Sequence, residues 1–135
     1  MNKLIATFCA SLCLLATLPA YAEIAVIANL NNPAAKMQVE QVAPFFLGAS
    51  IQLTPIDQAK ESTIRTDFYR KVTNKSQAQV RAIWSRIVFS GKGPIPKEMA
   101  SDAEVKKVVA SDPNAIGYID KSAADNTVKV LLTVQ

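Results

Sequence analysis

The run from Trp84 to Asp120 constrains this chain more than any other. Ser76-Gln77-Ala78-Gln79 has the Ser-x-x-Gln form of a capping box, and Val80, Ile83, Trp84, Ile87 and Val88 follow at i, i+3, i+4, i+7 and i+8. That spacing predicts an amphipathic helix. Two Gly and two Pro between Gly91 and Pro96 forbid its continuation. Ser101-Asp102-Ala103-Glu104 is a second capping box, with Val105, Val108 and Val109 as the stripe of a shorter helix. Asp112-Pro113-Asn114 is a turn by composition, and Ala115–Ile119 is apolar enough for a buried strand. Helix, loop, helix and strand in that order require a layered α/β arrangement.

The rest of the chain extends this pattern. Ile24–Asn29 is β-branched and runs into Asn31-Asn32-Pro33, which predicts a buried, central strand. Val39, Val42, Ala43 and Phe46 give a helical stripe that Pro44 kinks and Gly48 ends. Ile51–Ile56 alternates as a strand, with Pro55 placing it at an edge or a strand end. A helix is expected from Ser62, with Ile64, Phe68 and Val72 on one face beside Tyr69. Val128–Val134 reads as a last strand. The expected fold is a mixed sheet flanked by helices, in one domain over residues 23–135.

Residues 1–22 read as a secretory signal. Lys3 supplies the positive end, Leu4–Leu18 the apolar run and Ala20-Tyr21-Ala22 a small-x-small cleavage site. The run is shorter than the roughly 20 apolar residues that span a bilayer, so cleavage is expected rather than a retained anchor. Neither Cys9 nor Cys13 has the small-residue context of a lipidation site. Both leave with the signal, so the mature chain enters an oxidising compartment without a thiol and cannot form a disulfide. A periplasmic protein with no stable membrane anchor is expected.

The chain holds no His. Together with the loss of both Cys, this excludes His bases, Cys nucleophiles and most zinc sites. A Ser-Lys pair is conceivable, but no motif supports one, so catalysis is not expected. The net charge of +4 is mild and the two signs are interspersed. That suits a small anion but lacks the clustered basic stripe of a nucleic-acid binder.

One local arrangement suits an anion. A helix start offers unpaired N–H groups and a partial positive charge, so Ser62, Thr63 and the N–H groups of Ile64 and Arg65 can cradle a tetrahedral oxyanion, with the Arg65 side chain adding a charge-assisted bond. Ser62 is equally an ordinary N-cap, and spacing alone favours that role. Ser90-Gly91-Lys92-Gly93-Pro94 fails the Walker spacing and follows a helix, so it reads as a helix stop with an exposed Lys. Trp84, Phe68, Tyr69 and Phe89 are expected in the core, and Tyr118 points either into the core or into a cleft. Asp57, Glu61 and Asp67 lack the Asp-x-Asp-x-Asp-Gly spacing of a cation loop and are expected to be solvated, as are Arg81, Arg86, Lys106 and Lys107. No metal site or cofactor is expected.

Phe46-Leu47-Gly48, the stretch from Trp84 through Phe89-Ser90-Gly91-Lys92, and Pro113-Asn114-Ala115-Ile116-Gly117-Tyr118 together resemble the phosphate-type substrate-binding proteins of ABC transporters, the PstS type within the type II periplasmic binding proteins. The resemblance covers residues 24–135 and corresponds to the second of that family's two lobes. It implies a single-lobe domain binding phosphate or a similar oxyanion, serving an ABC permease or another envelope protein. In the family a strand ending Pro-x-x-Arg precedes a Ser-Gly-Thr at the helix start, whose hydroxyls and N–H groups hold the phosphate. Pro55-Ile56-Asp57-Gln58 puts Gln58 at the Arg position, Ser62 matches the family Ser, and Thr63 and Ile64 replace Gly and Thr. The helix-start reading and the resemblance together give Ser62, Thr63, Arg65 and Gln58 as the expected phosphate-binding residues. One hydroxyl carries over, the buried cation does not, and Glu61 adds a repelling charge. A single lobe also leaves one face of the anion wet, so binding in the micromolar to millimolar range, about 4 to 8 kcal/mol, is expected unless a second copy completes the site as a homodimer. The alternative is a lobe that has lost its ligand and docks on an envelope partner.

Overall fold

The computed structural model describes residues 22–135. The expected signal segment, with Cys9 and Cys13, lies outside the described residues but for Ala22. The elements are β1 (Ile24–Ala28), α1 (Val39–Phe46), β2 (Thr54–Gln58), α2 (Thr63–Phe68), α3 (Gln77–Phe89), β3 (Lys97–Met99), α4 (Asp102–Ser111), β4 (Ala115–Asp120) and β5 (Lys129–Val134). A wider π-helical turn, Tyr69–Thr73, prolongs α2 and closes on Asn74 in the left-handed region at φ 57°.

Five strands form a mixed sheet in the order β3-β2-β4-β1-β5. β2 runs parallel to β3 and β4, whereas β1 is antiparallel to β4 and β5. β4 is therefore the central strand, and β1, expected there, lies one place over. β1 is buried along its whole length because both faces of the sheet are covered. Its side chains alternate between two cores: Ile24, Val26 and Ala28 face one, and Ala25 and Ile27 the other.

The first core carries the aromatic side chains. Phe46 of α1, Phe68 of α2, Tyr69 just beyond it and Tyr118 of β4 are fully buried together. Phe68 stacks on Tyr118 at 3.8 Å and meets Phe46 edge-on at 4.7 Å. Trp84 of α3 packs against this core and donates its indole N–H to the Phe46 carbonyl at 2.8 Å. Gly48, at φ 72°, turns the chain after α1 where a Cβ would run into Ile87 and come within 3.3 Å of the Trp84 ring.

Val105 and Val109 of α4 fill the second core. Gly117 of β4 lets that helix sit close, since a Cβ there would lie 2.7 Å from Val105 Cγ1 and 3.2 Å from Val109 Cγ2. Gly117→Ala is expected to destabilise the fold by about 1–3 kcal/mol through overpacking. Urea unfolding that left stability unchanged would show α4 to be loosely seated.

Sequence expectation and structure part at several places. The strand expected over Ile51–Ile56 begins instead at Thr54, whose N–H donates to the Asn114 carbonyl at 2.7 Å, and it continues to Gln58. Pro55 is tolerated inside the sheet because β3 pairs with β2 only from Ile56 onward, leaving that side of Pro55 locally an edge. Pro44 sits within α1 without ending it. Ser76 and Gln79 form the full reciprocal box. At α4 Ser101 caps the Glu104 N–H, but the Glu104 carboxylate accepts from Ala100. Phe89 is 96 % exposed, and Val88 is exposed too, because the last turn of α3 overhangs the core.

Candidate functional site

β2 delivers its last residues to opposite faces of the sheet. Asp57, only 2 % exposed, points into the aromatic core. There it accepts a hydrogen bond from the Tyr69 hydroxyl at 2.6 Å and another from the Tyr118 hydroxyl. It is not the solvated carboxylate that its sequence surroundings suggested. Tyr118, left between core and cleft by its sequence, is a core residue.

Arg65, in the first turns of α2, closes the network from the solvent side. Its guanidinium lies 3.6 Å from Asp57, donates to Glu98 of β3 at 2.9 Å and to the Gln58 carbonyl at 2.9 Å. It also lies over the Tyr69 ring, 5.9 Å from the centroid. Arg65 Nε is buried with no partner among the described residues.

Burial pushes the Asp57 carboxyl up, against the pull of the two tyrosine hydroxyls and Arg65 toward ionisation. Burial, then the Asp57 charge, raises both phenols, which keeps Tyr69 and Tyr118 protonated as donors. Burial also works against the Arg65 charge, but Asp57 and then Glu98 outweigh it and hold the guanidinium protonated.

The four residues expected to hold an anion fall into different surroundings. The Ser62 hydroxyl donates to the Ala59 carbonyl at 2.7 Å and accepts from the Arg65 N–H at 3.4 Å, so it is the cap of α2. Thr63 is exposed at the first helical position. By helix geometry its N–H and that of Ile64 have no acceptor within the helix. The Gln58 amide is buried and donates to Asp102 of α4 at 2.6 Å and to the Tyr118 carbonyl at 3.0 Å, tying three elements together. Of the four, Arg65 lines a concavity.

That concavity has a volume of about 150 Å³ and lies by the carboxyl end of β2. Asp57, Lys60, Arg65, Arg81, Ser85 and Glu98 supply its polar groups, and Val80, Trp84, Ile95 and Pro96 its apolar wall. Three cations face two carboxylates, both of which Arg65 engages. Lys60 and Arg81 form no ion pair among the described residues. Sequence reasoning assigned Arg81 to solvent and passed over Lys60 and Ser85. The available signal was that Arg81, Trp84 and Ser85 stand at i, i+3 and i+4, one face of α3. Among the described residues no group of three carboxylates, thiols or imidazoles is placed to hold a metal ion. No helix among them is long and apolar enough to cross a membrane.

No protein-family model matches the sequence, and no curated protein matches it. Solved structures do. An ABC-type phosphate transport receptor from Vibrio cholerae superposes with a TM-score of 0.64 at 17 % identity, covering 82 % of this chain and 46 % of its own. A putative phosphate ABC transporter substrate-binding protein with bound phosphate, from Clostridium perfringens, gives 0.66 at 20 % identity, covering 82 % and 45 %. PstS from Borrelia burgdorferi gives 0.60 at 17 % identity, covering 82 % and 47 %. These neighbours are transport binding proteins, and this chain spans less than half the length of each. The fold described here is thus a single-lobe one, that of slightly under half of a phosphate ABC transporter substrate-binding protein.

Proposed function

We propose that this chain is an exported, non-catalytic protein that binds phosphate or a similar oxyanion weakly, in support of an ABC-type uptake system. The observation that carries the reading is the convergence of Lys60, Arg65 and Arg81 on one concavity by the carboxyl end of β2. In open α/β sheets, ligands settle outside the carboxyl ends of the strands. The neighbours' link to phosphate supports the choice of ligand.

In this reading Arg65 is the inner cation, held by Asp57 and Glu98. Lys60, Arg81 and the Ser85 hydroxyl approach the anion from outside. Ser62 sets the helix start and Gln58 braces the strand end, so both act through position. The two carboxylates leave a net excess of one positive charge, and an open concavity keeps water on the ligand. Both argue for micromolar to millimolar affinity, about 4 to 8 kcal/mol.

Calorimetric titration with inorganic phosphate tests this. Saturable binding in that range is expected, with Arg81→Glu and Lys60→Glu each weakening it about tenfold or more. Both side chains are exposed, so the fold should tolerate either change. Affinity unmoved by both variants would remove the concavity as the site.

A further inference from the structure

We propose that a second groove, between α3 and the start of β2, docks an apolar segment of an acidic partner protein. This does not depend on the anion reading. The groove encloses about 350 Å³ and is walled by Ile51, Trp84, Ile87 and Ile95. Ile51 is 92 % exposed and Ile95 57 %, so neither gains much from folding where it stands. Large apolar side chains gathered around one open concavity mark a contact surface.

Pro55, Pro94 and Pro96 restrict the backbone of the groove's rim, and Gly48 lies close against Trp84 and Ile87 on its floor. Restricted backbone loses less freedom when an occupant arrives.

Charge decides which occupant. Lys92 and Lys97 are the charged residues of the lining, there is no carboxylate in it, and neither lysine forms an ion pair among the described residues. An isologous pairing of two copies over this groove would bring like charges together. A segment carrying leucine or phenylalanine beside glutamate or aspartate satisfies the walls and both lysines at once.

Trp84 is the sole tryptophan and lines both the groove and the anion concavity, so its emission reports occupancy of either, and the variants below assign the response. The probes are two blocked synthetic peptides, Glu-Leu-Phe-Glu-Leu-Asp and its counterpart with lysine at each acidic position. The acidic peptide should shift Trp84 emission saturably, with affinity falling as salt is raised. Ile51→Asp, and separately the pair Lys92→Glu and Lys97→Glu, should each weaken it about tenfold or more. Ile51, Lys92 and Lys97 lie outside the anion concavity, which shares Trp84, Ile95 and Pro96 with the groove, so a response that these variants weaken belongs to the groove and one that they leave unmoved does not. The proposal is overturned by no response to the acidic peptide up to ~1 mM, by equal binding of the basic peptide, or by binding indifferent to both variants. Self-association abolished by Ile51→Asp would overturn it too, by making a second copy the occupant.

Discussion

Asp57→Ala is expected to lower the free energy of unfolding by about 3–5 kcal/mol, the cost of breaking a buried charged network by removing one partner. The substitution strands two fully buried donors, the Tyr69 and Tyr118 hydroxyls, and removes one of the two carboxylates that engage Arg65. Urea unfolding followed by far-ultraviolet circular dichroism measures the loss. Tyr118→Phe should cost much less alone, and the double variant should fall short of the sum, because both report on one network. A loss below about 1 kcal/mol would mean that water reaches the site.

The pH dependence of this residue has an unusual sign. Burial raises the folded Asp57 pKa above the unfolded value of 3.8, so the folded state holds the proton more tightly. The resulting stabilisation is complete below that unfolded value and is lost as pH rises through the folded one. Most paired carboxylates do the reverse. Asp57→Asn should flatten this part of the pH profile.

Phe68→Ala is expected to cost a similar amount, about 3–5 kcal/mol. Phe68 is fully buried and touches three rings, stacked on Tyr118 and edge-on to Phe46 and Tyr69. Its loss opens a cavity among Phe46 of α1, Tyr69 of the π-helical turn and Tyr118 of β4. Phe89→Ala provides the control. That ring is 96 % exposed, and its removal should change stability by no more than about 0.5 kcal/mol. Thermal unfolding of the two variants side by side checks both; equal losses would contradict the placement of the aromatic core.

The contrast between these two rings shows what the sequence could reveal. Caps and stripes are local, so Ser76 with Gln79 and Val105 with Val109 announced α3 and α4 from spacing alone. Periodicity does not say which turn of a helix overhangs the core, and Phe89 was therefore misplaced. β3 has three residues, two of them charged and exposed, and it is a strand because β2 lies beside it. No local pattern could supply that.

The candidate site was legible in the same uneven way. Arg65 and the start of α2 came from a local motif and from resemblance. The burial of Asp57 depends on Tyr118, far along the chain, and on β4 lying beside β2. Arg81 reaches the concavity because α3 packs across the first core, and sequence showed it as an ordinary charge on a polar face; Lys60, in the turn between β2 and α2, was passed over.

The central claim is that the concavity beside Arg65 receives a small oxyanion. Amide and side-chain NMR shifts recorded during a phosphate titration, with chloride matched for ionic strength, test it most directly. The account predicts saturable shifts at Lys60, Arg65, Arg81 and the Trp84 indole, with Lys106 and Lys107 on α4 unmoved. Shifts that follow ionic strength alone, or that saturate elsewhere on the surface, would contradict it.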